Sequence, residues 1–197
     1  MQNKILYLLF LCLPLFSIGQ ENEQKRHIDL GLEFQMYPAG IIPGVRVGFG
    51  LDKYNTHEIN ARLGFNKAKR NNWGEHEDER GNGWGGSLAY RYYFKSNMKG
   101  FSLGTRADIW NLSIDWRNIG TDEELWTEDD DIGNSKIIIF QPTAEVAYTF
   151  LIPISEKQRV FISPNVAFGY ELNVKTKGEK VGQGNILLWG VVAGIRF

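Results

Sequence analysis

The sequence is short of cysteine, histidine and long apolar runs, and each shortage closes off a class of function. Its one cysteine, Cys12, lies inside an apolar N-terminal run, so the rest of the chain has no thiol for a disulfide, a metal site or a nucleophile. The three histidines, His27, His57 and His76, stand far apart. Beyond the N-terminal run nothing approaches the roughly 20 apolar residues that a transmembrane helix needs. A helical membrane protein is therefore excluded. Basic and acidic residues nearly cancel, 22 against 23, which gives nucleic acid nothing to bind. At 197 residues the chain has room for one domain.

What is present begins with Met1-Gln2-Asn3-Lys4, then apolar sequence from Ile5 to Phe16, then Ser17-Ile18-Gly19. This is the pattern of a secretory signal, too short for an anchor. Cleavage is expected after Gly19, leaving a mature chain of residues 20–197 without Cys12. The bulky Leu9-Phe10-Leu11 before Cys12 do not suit a lipid anchor. Without Lys4, 21 basic residues face 23 acidic ones, a formal charge of −2.

The remainder alternates with a period of two, the signature of strands whose side chains point to opposite faces. Eight segments do so. The first sets Ile28, Leu30, Leu32, Phe34 and Met36 against Asp29, Gly31, Glu33 and Gln35. The last sets Leu187, Trp189, Val191, Ala193, Ile195 and Phe197 against Gly190, Gly194 and Arg196. In the fifth, the apolar set changes parity at Trp110, Leu112, Ile114 and Trp116, which predicts a bulge near Ile109. Pro142 and Pro164 fall inside the sixth and seventh segments, where a missing N–H calls for a bulge or a late start to the ladder.

Connections at about 52–57, 95–100 and 153–158 are tight, whereas those at 66–83, 117–135 and 175–185 are long and polar; 38–43 is short although it belongs to the long set. This alternation fits an outer-membrane barrel with short periplasmic turns and longer outer loops. The faces agree. One is apolar and free of charge between the strand ends. The other holds Asp29, Glu33, Arg46, Glu58, Arg62, Arg91, Arg106, Asp108, Glu145, Glu171 and Arg196, with glycines between them. Tyr90, Tyr92, Phe94, Phe101, Tyr148, Phe150 and Phe197 fall toward one rim, and Phe34, Phe65, Trp84, Phe140, Phe168, Tyr170 and Trp189 toward the other. Two such girdles mark membrane interfaces.

The signal, the eight alternating segments and the final strand Trp189-Gly190-Val191-Val192-Ala193-Gly194-Ile195-Arg196-Phe197 resemble the small outer-membrane β-barrel proteins of the OmpX and OmpA-barrel type. The likeness covers about residues 28–197 and carries no diagnostic motif. It implies an all-β, eight-stranded antiparallel up-and-down transmembrane β-barrel in the outer membrane of a Gram-negative-type bacterium. It also implies outer-membrane lipid as the surroundings and the outer-membrane assembly machinery as the partner that reads the terminal Phe197.

Some outer-membrane barrels are lipid A deacylases or acyltransferases, which need a base within reach of a hydroxyl. Ser87, Ser102 and Ser163 have inward parity and leave His57 no partner; only His76 with Ser135, across two outer loops, remains as a pair. The second outer loop carries Glu75, Glu77, Asp78 and Glu79, and the third Asp122, Glu123, Glu124, Glu128, Asp129, Asp130 and Asp131. Oxygen-rich loops suit a divalent cation, but the glycine of Asp129-Asp130-Asp131-Ile132-Gly133-Asn134 is misplaced for an EF-hand loop. A solvated surface is the plainer reading. Trp73 and Trp126 offer anchors for an extracellular ligand. No catalytic, cofactor-binding or metal residue is assigned.

The expected function is a non-enzymatic barrel presenting its outer loops for binding, with a narrow solute channel and a lipid-modifying enzyme as the alternatives. Eight strands enclose a lumen just wide enough to be filled by side chains. The inward charges should therefore pair: Arg196 with Asp29, Arg106 with Glu145, and Arg91 with Glu58.

Overall fold

A computed structural model describes residues 26–71, 74–118, 131–156 and 158–197. The signal segment, Gln20, Trp73, Trp126 and residues 122–130 of the third loop lie outside the described residues. The strands are β1 (Ile28–Tyr37), β2 (Gly40–Gly50), β3 (His57–Asn71), β4 (Asp78–Lys95), β5 (Lys99–Asn118), β6 (Asp131–Pro153), β7 (Arg159–Lys177) and β8 (Gly184–Arg196). All neighbours pair antiparallel in sequence order, and β8 returns to β1 to close the barrel. Closure leaves no strand edge without a partner. The tight connections after β2, β4 and β6 form the turn end, and the connections after β1, β3, β5 and β7 form the loop end.

The alternation read from the sequence holds, but its meaning reverses along the barrel axis. Nearer the turn end the outward side chains are apolar, among them Leu30, Leu63, Leu88, Leu103, Val146 and Val166. The inward ones there are the charged set, all buried. Nearer the loop end the inward side chains become apolar: Ile42, Trp110, Leu112, Ile114, Trp116, Ile137, Ile139, Ile186 and Leu188 form one buried cluster. The outward ones there are polar apart from exposed Ile132 and Val174. Lys67, Asn82, Ser113, Lys136 and Lys177 are successive register partners across five strands and divide the two regions.

This inversion replaces the expected bulge at Ile109. The β4–β5 and β5–β6 registers run unbroken through Ile109 and Trp110. The apolar set moves to the inner face, where it packs as the core of a water-soluble protein does. The long polar connections are likewise shorter than read. Strands β3 and β4 continue to Asn71 and Asp78, and β5 and β6 to Asn118 and Asp131; polar outward residues had made these strand ends look like loop. The prolines cause neither a bulge nor a late start. The β6–β7 ladder skips partners at Gln141 and Pro142 and again at Tyr148 and Thr149, opposite Pro164, while its register is unchanged.

Trp110 marks the boundary inside the barrel. Gly44, Gly64, Gly85 and Trp110 are successive register partners, so the indole lies across glycines. A Cβ at Gly85 would sit 2.3 Å from the Trp110 ring and 2.2 Å from the Ile109 carbonyl oxygen. Backbone cannot yield there. Gly85→Ala should therefore lower stability by about 1–3 kcal/mol through overpacking, read as a fall in the urea midpoint of the folded barrel.

Candidate functional site: the closed lumen and its two mouths

The narrow interior forces the inward charges within reach of one another, and a charge buried without a partner is costly. Five guanidinium groups and five carboxylates answer each other there. Arg106 sits at the centre: its Nε donates to Asp108 at 2.9 Å and its Nη1 to Glu33 at 3.2 Å and Glu145 at 3.4 Å. Arg62 joins Glu33, Asp108 and Gln35. Arg91 donates to Glu145 at 2.5 Å, and Arg46 pairs with Glu58. Arg91 Nη1 and Arg106 Nη2 meet no acceptor among the described residues, the kind of group that buried water satisfies.

Two of the three expected pairs form, Arg196 with Asp29 and Arg106 with Glu145. The third does not. Arg91 and Glu58 are register partners, but Glu58 is taken by Arg46 and by the Tyr93 hydroxyl, which donates at 2.8 Å. Arg91 instead reaches across to Glu145. Glu171, expected in the same network, pairs with Arg70 at the loop end, 2.5 Å away.

At the turn end the lumen is closed by Arg196, which clamps Asp29 through two 2.6 Å hydrogen bonds. It also donates to the carbonyls of Asn97 and Met98 at 2.5 and 2.9 Å and lies over the Phe161 ring. Met98, Tyr93 and Phe161 are fully buried beneath it. The β4–β5 turn is held inward by N–H groups of Asn97 and Met98 donating to Tyr54 and Asn55 carbonyls.

The neighbouring β2–β3 turn is organised by Asp52. Its carboxylate accepts from the N–H groups of Tyr54, Thr56 and His57 and from the Thr56 hydroxyl. Partial burial pushes this carboxyl up, but those donors outweigh it and hold it below the ordinary aspartate value. A lowered carboxyl stabilises the fold above the unfolded-state value of about 3.9 and loses that benefit as pH falls through the folded value. Asp52→Ala should cost about 1 kcal/mol at neutral pH. The gap to the unmodified protein should close in acid, as measured by urea titration across pH.

The loop-end mouth is closed by a cluster that sequence reading missed. Glu79 accepts from the N–H groups of Glu75, His76 and Gly182 at 3.0–3.3 Å and pairs with Arg70. Arg70 also donates to the Gly182 carbonyl at 2.5 Å. These contacts draw the β7–β8 connection across the barrel, and its Val181 enters the apolar cluster. The only sequence signal was Val181 itself, an apolar residue in a polar loop.

His76 stacks on Trp116 with ring centroids 4.1 Å apart, and its ring nitrogens face Asn118 Oδ1 and the Lys180 carbonyl at 3.2 and 3.1 Å. Ser135 donates to the Glu179 carbonyl and accepts from Trp116 Nε1. The one His–Ser pair the sequence left open, His76 with Ser135, is thus replaced by separate structural bonds. His57 faces outward, 2.5 Å from the Tyr90 hydroxyl and beside Tyr92. Ser87, Ser102 and Ser163 are buried inside. His27 lies at the seam, 3.3 Å from both the Phe197 carbonyl and Asn97 Oδ1. Glu79 is turned to protein donors and Asp78 to Arg80. Among the described residues no three metal-ligating side chains gather.

These features define an eight-stranded up-and-down barrel of inverted interior, closed at both ends by its own residues. No family model matches the sequence, and no curated protein matches it. Two solved structures of small barrels are similar to it. The N-terminal β-barrel domain of Pseudomonas aeruginosa OprF is 15% identical, with a TM-score of 0.44 over 86% of this chain and 96% of that one. Neisserial surface protein A, NspA, is 13% identical, with a TM-score of 0.35 over 87% of this chain and 94% of that one.

Proposed function

We propose that this chain is a non-enzymatic, non-conducting barrel of a bacterial outer membrane, exported by residues 1–19 and presenting its loop end for surface interaction. One observation carries the reading: around the whole circumference the outward residues near the turn end are apolar, while the charges are buried inside and paired. A soluble barrel would expose the charges. On most strands the apolar belt spans about the 9–11 residues that a tilted strand needs to cross a bilayer. Exposed Tyr92, Phe94 and Phe101 lie at one margin and Trp84, Phe168 and Trp189 toward the other, as interfacial aromatics do. The closed mouths favour a scaffold over a channel, and the separate bonding of His76 and Ser135 favours it over a hydrolase.

The test is refolding into phosphatidylcholine vesicles followed by planar-bilayer recording. The barrel should insert, migrate in gels as a compact form that heating abolishes, and show no sustained open state. Recovery in the aqueous phase would overturn the membrane reading, and a stable, ion-selective conductance would promote the channel. The cell-derived protein should begin at Gln20 by mass spectrometry; retention of Met1–Gly19 would overturn the export signal.

A further inference from the structure

On β6 and β7 the outward face carries three lysines just beyond the apolar belt. Lys136 and Lys177 are direct register partners, and Lys175 is the partner of Ile138. Paired residues in an antiparallel ladder lie about 5 Å apart at Cα, and Lys175 and Lys177 are about 6.6 Å apart along one face. All three are exposed, and none forms an ion pair with another described residue. Like charges placed directly opposite one another are destabilising.

The third lysine is there because of an irregularity. Simple alternation from Leu172 would turn Lys175 inward, toward the apolar cluster. The β6–β7 register shifts between Ile138 and Ile139, which pair with Lys175 and Asn173 and leave Val174 without a partner. Bulges of this kind re-aim side chains. This one delivers Lys175 to the outer face beside the other two. Directly below lie Ile138, Phe140, Leu172 and the exposed Val174, so three ammonium groups crown a continuous apolar strip.

We propose that this β6–β7 face binds a phosphate-bearing anionic lipid, its phosphate held among Lys136, Lys175 and Lys177 and its acyl chain lying along Ile138, Phe140 and Leu172. The inference rests on the membrane reading above. Complementarity supplies the argument. The three lysines repel one another until an anion sits between them, and the apolar strip requires that anion to carry hydrocarbon. A soluble anion would leave the strip uncovered.

The experiment reconstitutes the barrel in phosphatidylcholine vesicles doped with phosphatidic acid, then counts by native mass spectrometry the lipid retained on the extracted protein. Phosphatidic acid should be retained over phosphatidylcholine, less so as salt rises, and inorganic phosphate should not displace it. K136Q/K175Q/K177Q should lose on the order of tenfold in retention, while the corresponding arginine variant keeps it and K53Q/K95Q at the turn end changes nothing. Gel mobility before and after heating checks that each variant is folded. Equal retention by the glutamine variant, no preference over phosphatidylcholine, or displacement by inorganic phosphate would overturn the proposal while leaving the membrane reading intact. Failure to insert into phosphatidylcholine at all would overturn both.

Discussion

Arg106→Ala should lower the unfolding free energy of the barrel by about 3–5 kcal/mol, the usual cost of removing one partner from a buried ion network. Three carboxylates, on Glu33, Asp108 and Glu145, share that guanidinium, and all three are buried. Arg62 would remain for Glu33 and Asp108 and Arg91 for Glu145, so the loss falls short of three independent pairs. Pairing the change with Glu33→Gln restores the charge balance of the lumen while leaving Arg62 on Asp108 and Arg91 on Glu145, and should recover part of the stability. Urea titration in lipid of the single and double variants measures both effects. Equal stability of Arg106→Ala and the unmodified protein would mean that the lumen is wet enough to screen its charges.

Leu88→Arg should impair insertion and cost about 2–4 kcal/mol, the depth-dependent penalty for an arginine facing lipid near the midplane. Leu88 is exposed, with Tyr90 and Tyr92 on one side along β4 and Trp84 on the other. Asn82→Arg supplies the control, since Asn82 has the same outward parity on the same strand but lies beyond Trp84, in the row with Lys67 and Ser113. It should fold and insert normally. Equal damage at the two positions would mean that the outward face meets one environment along its whole height. An inward residue such as Thr143 would not serve as the control, because it lies buried against Gly169 in a filled lumen.

The strands near the turn end were legible because an apolar outer face and a narrow, charged lumen place opposite chemistry at successive residues. Ile28 to Met36 and Leu187 to Phe197 read correctly for that reason, and the Arg196–Asp29 clamp followed once closure fixed which strands meet. The region beyond Trp110 was misread for a reason of the same kind. There the outer face is polar, with Asn111, Ser113 and Asp115 facing out and Trp110, Leu112 and Ile114 facing in. A reading that keeps one rule along the whole barrel predicts a bulge at Ile109, where the register is unbroken. The bulge that does occur at Val174 left no mark in composition. The Arg70–Glu79–Glu171 cluster was hidden because Arg70 and Glu79 sit in what reads as polar loop, and only register brings them over the mouth. The ligand of the loop end was not legible, since no residue pattern there has the spacing of a known chemistry.

The apolar cluster around Trp110, Leu112, Ile114, Trp116, Ile137 and Val181 also sets how this barrel responds to temperature. Hydrating apolar surface raises heat capacity and hydrating polar surface lowers it. A barrel filled with ion pairs from end to end would unfold with little change in heat capacity and a nearly straight dependence of stability on temperature. Here the loop-end half contributes the positive increment of a water-soluble core, so calorimetry should find a curved stability profile. The loop-end half, held by a driving force that fades on cooling, should then loosen in the cold before the salt-bridged half does.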